Sequence, residues 1–241
     1  MSDMSGRIET LPDPAALAHH VAEWMTAAAL AAKGEFRVSL SGGSTPKALF
    51  TLLASDAFIG RFPWTRVSWY WGDERFVPYD HPESNYRMTR ETMLSRAPVP
   101  AGNIHPVPTD GAPDDAALRY ERTLQAAYGA PVLDPARPMF DITLLGLGPD
   151  GHTASLLPGE PVLEERKRWV AAVSHGRPEI RITMTYPVID SSRKVAFLVA
   201  GKEKAPIFRT IRAGNSQLPA ARVKPAGDLF WFVDRAAAGE G

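Results

Sequence analysis

Apolar and polar positions alternate in blocks whose spacing changes along the chain. Leu17, Val21, Trp24, Met25 and Ala28 recur at helical spacing behind Asp13-Pro14, a suitable N-cap and first-turn proline. That spacing predicts a helix from residue 14 that stops near Gly34, and its alanine-rich make-up favours helix by propensity. Short apolar runs at 36–40, 67–71, 140–145, 169–173, 194–201 and 229–233 then read as strands. Helices are expected between them. One runs from Lys47 to about Leu53, one from a cap at Ser84 or Asn85 to about Ser95, and one from Asp114-Asp115 to Tyr128 with Leu118 and Leu124 inward. Others begin at Lys202 and near Thr153, with Thr153 or Ser155 as the cap. Segments 97–113 and 129–138 are Pro- and Gly-rich connections, His175-Gly176-Arg177-Pro178 is a loop, and 219–224 is a short turn or helix.

Strands alternating with helices from end to end imply an α/β fold, with a largely parallel sheet covered on both faces. No composition break marks a second domain, so residues 1–241 form a single domain, with 1–10 and 236–241 expected to fray. Apolar residues make up 44% of the chain, enough for a sizeable core.

Lys+Arg and Asp+Glu each number 27, so the formal net charge is zero. That balance speaks against nucleic acid as a partner, while leaving room for one basic pocket. Cysteine is absent, which removes disulfides and thiolate chemistry and suits a reducing cytoplasm. The first residues lack the charged-then-apolar pattern of a signal peptide, and no apolar run approaches the roughly 20 residues that span a bilayer. Neither a Gly-x-Gly-x-x-Gly fingerprint at the first strand nor clustered metal-ligand spacing occurs, so no nicotinamide cofactor and no metal are expected.

The candidate chemistry sits where strands end. Ser41-Gly42-Gly43-Ser44-Thr45-Pro46 joins a strand to a helix start, an arrangement whose amide groups and hydroxyls face an anion. Gly72-Asp73-Glu74-Arg75 puts two carboxylates and a guanidinium at the next strand end. The run from Leu144 to Gly159 breaks into glycines and presents Asp150, His152, Thr153 and Ser155 within six residues. Arg181 lies between two isoleucines, and on those residues alone an exposed strand face is the better reading. Lys204 stands near a helix amino end, where the macrodipole disfavours a cation unless an anion lies between.

Taken in order, these stretches resemble the 6-phosphogluconolactonase family. The matching motifs are Ser41 to Pro46, Gly72 to Arg75 with Val77-Pro78, Ser84-Asn85, Leu145 to Gly159, Arg181-Ile182-Thr183, and Gly201 with Lys204. The Asp150-Gly151-His152-Thr153-Ala154-Ser155 run is the most specific of them. The resemblance implies a Rossmann-like three-layer α/β/α domain, shared with glucosamine-6-phosphate deaminases and ribose-5-phosphate isomerases. It implies a cytoplasmic carboxylic ester hydrolase without cofactor, acting on 6-phospho-D-glucono-1,5-lactone as monomer or homodimer. His152 matches the proposed base, with Asp150 or Asp73 orienting its imidazole. Arg75, Arg181 and Lys204 match anion-binding positions. Arg181 and Lys204 are expected on the 6-phosphate and Arg75 on phosphate or lactone oxygen. Gly42, Gly43, Ser44 and Thr45 would add turn amides and hydroxyls.

Two rivals bear on that expectation. Glucosamine-6-phosphate deaminases resemble the same loops but carry Glu five residues after the histidine, where this chain has Leu157, and Tyr where it has Arg75. An aliphatic side chain has no acid/base capacity, so the departure counts against deamination. A non-catalytic sugar-phosphate sensor is the other rival. Neutral charge and a first helix that runs straight into the sheet, with no helix-turn-helix ahead of it, speak against a DNA-bound regulator.

Overall fold

The computed structural model describes residues 6–174, 179–214 and 216–240. The expected loop at 175–178 lies outside them. The first half of the chain runs β1 (Arg7–Leu11), α1 (Pro14–Ala31), β2 (Phe36–Leu40), α2 (Ser44–Leu53), β3 (Val67–Trp71), β4 (Asp73–Arg75), α3 (Asn85–Thr89), β5 (Ile104–His105) and α4 (Pro113–Tyr128). The second half runs β6 (Ile142–Gly146), β7 (Val170–Val173), β8 (Arg181–Met184), α5 (Tyr186–Asp190), β9 (Lys194–Val199), α6 (Ala205–Arg212), β10 (Asp228–Asp234) and α7 (Arg235–Ala238).

Seven strands form the main sheet in the order β1-β10-β9-β6-β2-β3-β5, every neighbouring pair parallel. Helices cover it in a three-layer α/β/α arrangement. β3 is buried at every position, as a strand covered on both faces must be. Phe197 and Trp231, register partners on β9 and β10, stack with ring centroids 3.9 Å apart. α1 starts on the Asp13 carboxylate, which accepts from Ala16 N–H at 2.8 Å, and buries Leu17, Val21 and Met25. No described helix is long and apolar enough to cross a membrane.

The topology fixes where a ligand goes. From β2 the chain steps outward to β3 and β5, then returns to place β6 on the other side of β2. Strand order therefore reverses between β2 and β6, and the loops leaving their carboxyl ends diverge. Such a switch point is the usual crevice of an open α/β sheet.

Four expectations are corrected. First, β4, β8 and β7 form a separate antiparallel sheet, so Gly72 to Arg75 is not only a loop at a strand end. Gly72 turns the chain into it, its N–H donating to Leu40 O and its own carbonyl accepting from Met184 N–H. Second, of the ends expected to fray, 1–10 and 236–241, residues 7–10 and 236–238 are ordered in β1 and α7. β1 lies in register along β10, and buried Asp234 caps α7 through Ala237 N–H at 2.7 Å. Third, no helix starts at Thr153. Residues 153–156 make a tight turn bridged from Thr153 to Leu156, with Ala154 at φ 47°. The hydroxyl of Ser155 goes to a distant carboxylate instead of capping a helix. Fourth, α2 begins at Ser44, three residues ahead of Lys47, so Ser44 and Thr45 form its first turn.

Candidate active site

A cleft of about 210 Å³ opens at the switch point. Ser41, Gly42 and Gly43 line it from the end of β2, and Gly146 to Pro149 with His152 line it from the end of β6. β4 contributes Asp73 and Arg75, β8 contributes Arg181, and Lys204 reaches it from just before α6. The cleft thus gathers three cations, one carboxylate and one imidazole from parts of the chain that only the fold brings together.

His152 is held by a local device. Asp150 Oδ1 accepts from the His152 backbone N–H at 3.1 Å and lies 2.5 Å from ring Nδ1. A carboxylate acceptor places the ring proton on Nδ1 and leaves Nε2 as the basic nitrogen. Partial burial pushes the Asp150 carboxyl up, but the hydrogen bonds and charge of His152 outweigh it and hold the group below its ordinary value. The imidazole lies against Gly148, where a Cβ would fall 2.0 Å from Nδ1, so the ring needs glycine there. Gly151 takes φ 81°, a conformation that favours glycine, and turns the chain between the acid and the base. Leu218 packs beneath Gly151, and Ala220 N–H donates to its carbonyl at 2.9 Å.

The cations are held by strand register. β4 and β8 run antiparallel, with Arg75 directly opposite Arg181. Like charges facing each other across a strand pair are unfavourable, and an anion shared between them relieves the repulsion. The Arg181 side chain is only 13% exposed and sits 3.7 Å from Glu179, which corrects the exposed-face reading of its flanking isoleucines. Of the two carboxylates offered for the imidazole, Asp150 makes the contact. Asp73 is instead buried, accepting from Ser155 Oγ at 2.7 Å, with the Asn85 amide beside it. Glu74 points away from the cleft into a buried cradle of backbone N–H groups.

Gly42, Gly43, Asp73, Arg75, His152, Arg181 and Lys204 therefore meet in one cleft, with Asp150 behind the imidazole. Ser44 and Thr45 do not line it; they form the first turn of α2 beside Gly43. Their N–H groups lack intrahelical acceptors, as in any first helical turn. Asn85 and Ser155 went unassigned from sequence, where each read as a helix cap. The sequence signal for Asn85 was its place in the Ser84-Asn85 motif; the structure shows that Ser84 caps α3 through Arg87 N–H, which leaves the Asn85 side chain for another task. Among the described residues no group of three or more His, Asp or Glu side chains is placed to hold a metal ion.

Comparison with known proteins points the same way. The family model described as glucosamine-6-phosphate isomerases/6-phosphogluconolactonase matches residues 12–231. A 6-phosphogluconolactonase of Nostoc sp. is 39% identical over 246 residues, covering 98% of this chain and 99% of its own. The crystal structure of a 6-phosphogluconolactonase from Thermotoga maritima superposes with a TM-score of 0.82 at 32% identity, covering 95% of this chain and 100% of that one. A monomeric glucosamine-6-phosphate deaminase also superposes, at TM-score 0.81 and 98% and 100% coverage, but its 20% identity speaks for the fold alone.

Proposed function

The chain belongs to the glucosamine-6-phosphate isomerase/6-phosphogluconolactonase family, and we infer that it hydrolyses 6-phospho-D-glucono-1,5-lactone to 6-phospho-D-gluconate. This is a carboxylic ester hydrolysis (EC 3.1.1.31) of the oxidative pentose phosphate pathway. What carries the reading is a juxtaposition: an Asp150–His152 pair and an Arg75–Arg181 pair share one cleft.

The chemistry follows from those groups. His152 Nε2 takes a proton from water as the water oxygen attacks C1 of the lactone. Asp150 holds the ring tautomer and stabilises the imidazolium that forms. The tetrahedral intermediate collapses with cleavage of the bond from C1 to the ring oxygen, which leaves with the proton carried by His152. The new carboxylic acid then ionises and releases one proton to solvent. Arg181 and Arg75 hold the 6-phosphate between them, with Lys204 as a third cation lining the same cleft. The amides of Gly42 and Gly43, at the amino end of α2, add donors to anionic oxygen. Asp73 serves the site by tying the catalytic loop to β4 through Ser155.

The deaminase alternative is disfavoured by Leu157. Its side chain is 4% exposed and lies outside the cleft lining, so neither its chemistry nor its position supplies an acid to the sugar. Freshly made 6-phosphogluconolactone should release acid faster with the protein than alone, and glucosamine 6-phosphate should release no ammonia. Acid release at the spontaneous rate would defeat the lactonase reading. A cytoplasmic location and a monomer or homodimer complete the proposal, checked by cell fractionation and by light scattering on a sizing column.

A further inference from the structure

Asn85 has no part in the chemistry above, yet it stands between Asp73 and Arg75 of β4. It is 3% exposed. Its Oδ1 accepts from Arg75 Nη1. Its Nδ2 donates to Asp73 O at 3.0 Å and lies 3.4 Å from Asp73 Oδ1. A carboxamide offers an acceptor to a guanidinium on one side and, from a separate atom, two donors to a carboxylate residue on the other. Asp73 and Arg75 are two positions apart on one strand and so share a face. Without a group between them, an ion pair within β4 is the competing arrangement, and it would take Arg75 away from an incoming anion.

The placement of this amide is itself fixed from two sides. The Asn85 N–H donates to Glu74 Oε1 at 2.7 Å. Glu74, 1% exposed, also accepts from Arg75 N–H at 2.8 Å, Tyr86 N–H at 2.8 Å and Ser84 Oγ at 3.1 Å. One buried carboxylate thus ties the start of α3 to β4. From the other side, Gly42 leaves room for the amide. A Cβ there would fall 2.0 Å from Asn85 Oδ1 and 2.9 Å from Nδ2.

We propose that Asn85 is the positioning residue for Arg75: its carboxamide, set in place by Glu74 and accommodated by Gly42, keeps the guanidinium apart from Asp73 and turned toward the substrate phosphate. Gly42 then has a steric role in addition to any backbone contact with substrate. The proposal rests on the lactonase reading above.

The test is steady-state kinetics on 6-phosphogluconolactone with three single variants and three double variants. Asn85→Ala should raise KM about tenfold or more, the usual effect of losing one charged hydrogen bond, with kcat within about threefold of wild type. In an Arg75→Ala background the same substitution should change KM less than twofold, because residues that act as a unit are not additive. Gly42→Ala, which displaces the amide while leaving α3 and its bond to Glu74 untouched, should reproduce the KM rise. It should lose most of that effect in an Asn85→Ala background, where the space is vacant. Should Asn85→Ala fail to fold, Gly42→Ala is compared in wild-type and Arg75→Ala backgrounds: its KM effect should be lost without Arg75, and an effect that persists in full there overturns the proposal. A KM unchanged in both Asn85→Ala and Gly42→Ala, or an Asn85→Ala effect that persists in full without Arg75, overturns the proposal. Wild-type protein that leaves the lactone at its spontaneous rate defeats the functional reading instead, and the two failures are thereby separable.

Discussion

On one wall of the cleft the base and its acid are two residues apart, on a turn that glycines shape, and both remain in contact with solvent. The His152 side chain is 19% exposed and that of Asp150 43%. On the other wall the working groups come from β4, α3, β8 and the turn after β6, and most of their partners are buried. Ser155 and Asp73, joined at 2.7 Å, are 82 positions apart in sequence. A continuous chain of hydrogen bonds runs from Thr183 Oγ1 through Ser155 and Asp73 to Asn85 and Arg75. A reactive group can thus be held locally, whereas an anion cradle that sets several cations side by side needs the fold to hold it. Damage to the first wall should fall on turnover and damage to the second on binding and stability together.

The largest effect is expected at the local wall. His152→Ala should lower kcat by about 10²–10⁴, the usual worth of a positioned general base, while its thermal midpoint stays near that of wild type. Wild-type-like turnover in that variant would remove His152 from the mechanism and erase the contrast. Arg181→Ala comes next and should act mainly on KM, raising it about 10- to 100-fold through lost phosphate contacts. An unchanged KM with the fold intact would place the phosphate elsewhere.

Glu74→Ala probes the woven wall where it touches no substrate. Three backbone N–H groups and a hydroxyl lose their acceptor, so urea denaturation should show a loss of about 3 kcal/mol. KM should rise as Arg75 loosens, with kcat moving least. A loss below about 1 kcal/mol would show that this wall is less dependent on the fold than its hydrogen bonds imply. Burial pushes the Glu74 carboxyl up despite those donors, so it is a costly charge kept for what it holds.

Asp190, outside both walls, should leave turnover unchanged. Burial pushes its carboxyl from 3.8 up to about 6, opposed by the Lys224 N–H and by the charges of Lys224 and Arg166. The folded-state value lies above the unfolded one, so this group's stabilising contribution is present below about pH 4 and is lost as pH rises through about 6. Asp190→Asn keeps an acceptor for Lys224 N–H and removes the titration. Its stability should therefore gain on wild type between pH 4 and pH 7, by at most about 3 kcal/mol. A constant difference over that range would locate the titration elsewhere.

The same contrast governs how much could be read before folding. β2, β3, β6, β9 and β10 are buried parallel strands and announce themselves as apolar runs. The Asp150–His152 pair was legible because its parts are neighbours in sequence. β1 escaped notice because Arg7–Leu11 is a short, mixed edge strand whose order comes from its ladder with β10. Asp73–Arg75 carries no strand pattern at all and becomes one only by pairing with Arg181–Met184. The opposition of Arg75 to Arg181 depends on that register, which no local spacing encodes. Ser155 looked like a helix cap because hydroxyls do cap helices, but the buried carboxylate of Asp73 competes for it and no helix forms.

The most direct test of the two-walled cleft is a crystal structure with 6-phosphogluconate bound. The C1 carboxylate should lie within hydrogen-bond reach of His152 Nε2, and the phosphate should lie between Arg75 and Arg181. A phosphate seated against His152, or a C1 carboxylate held by the paired arginines, would contradict the account.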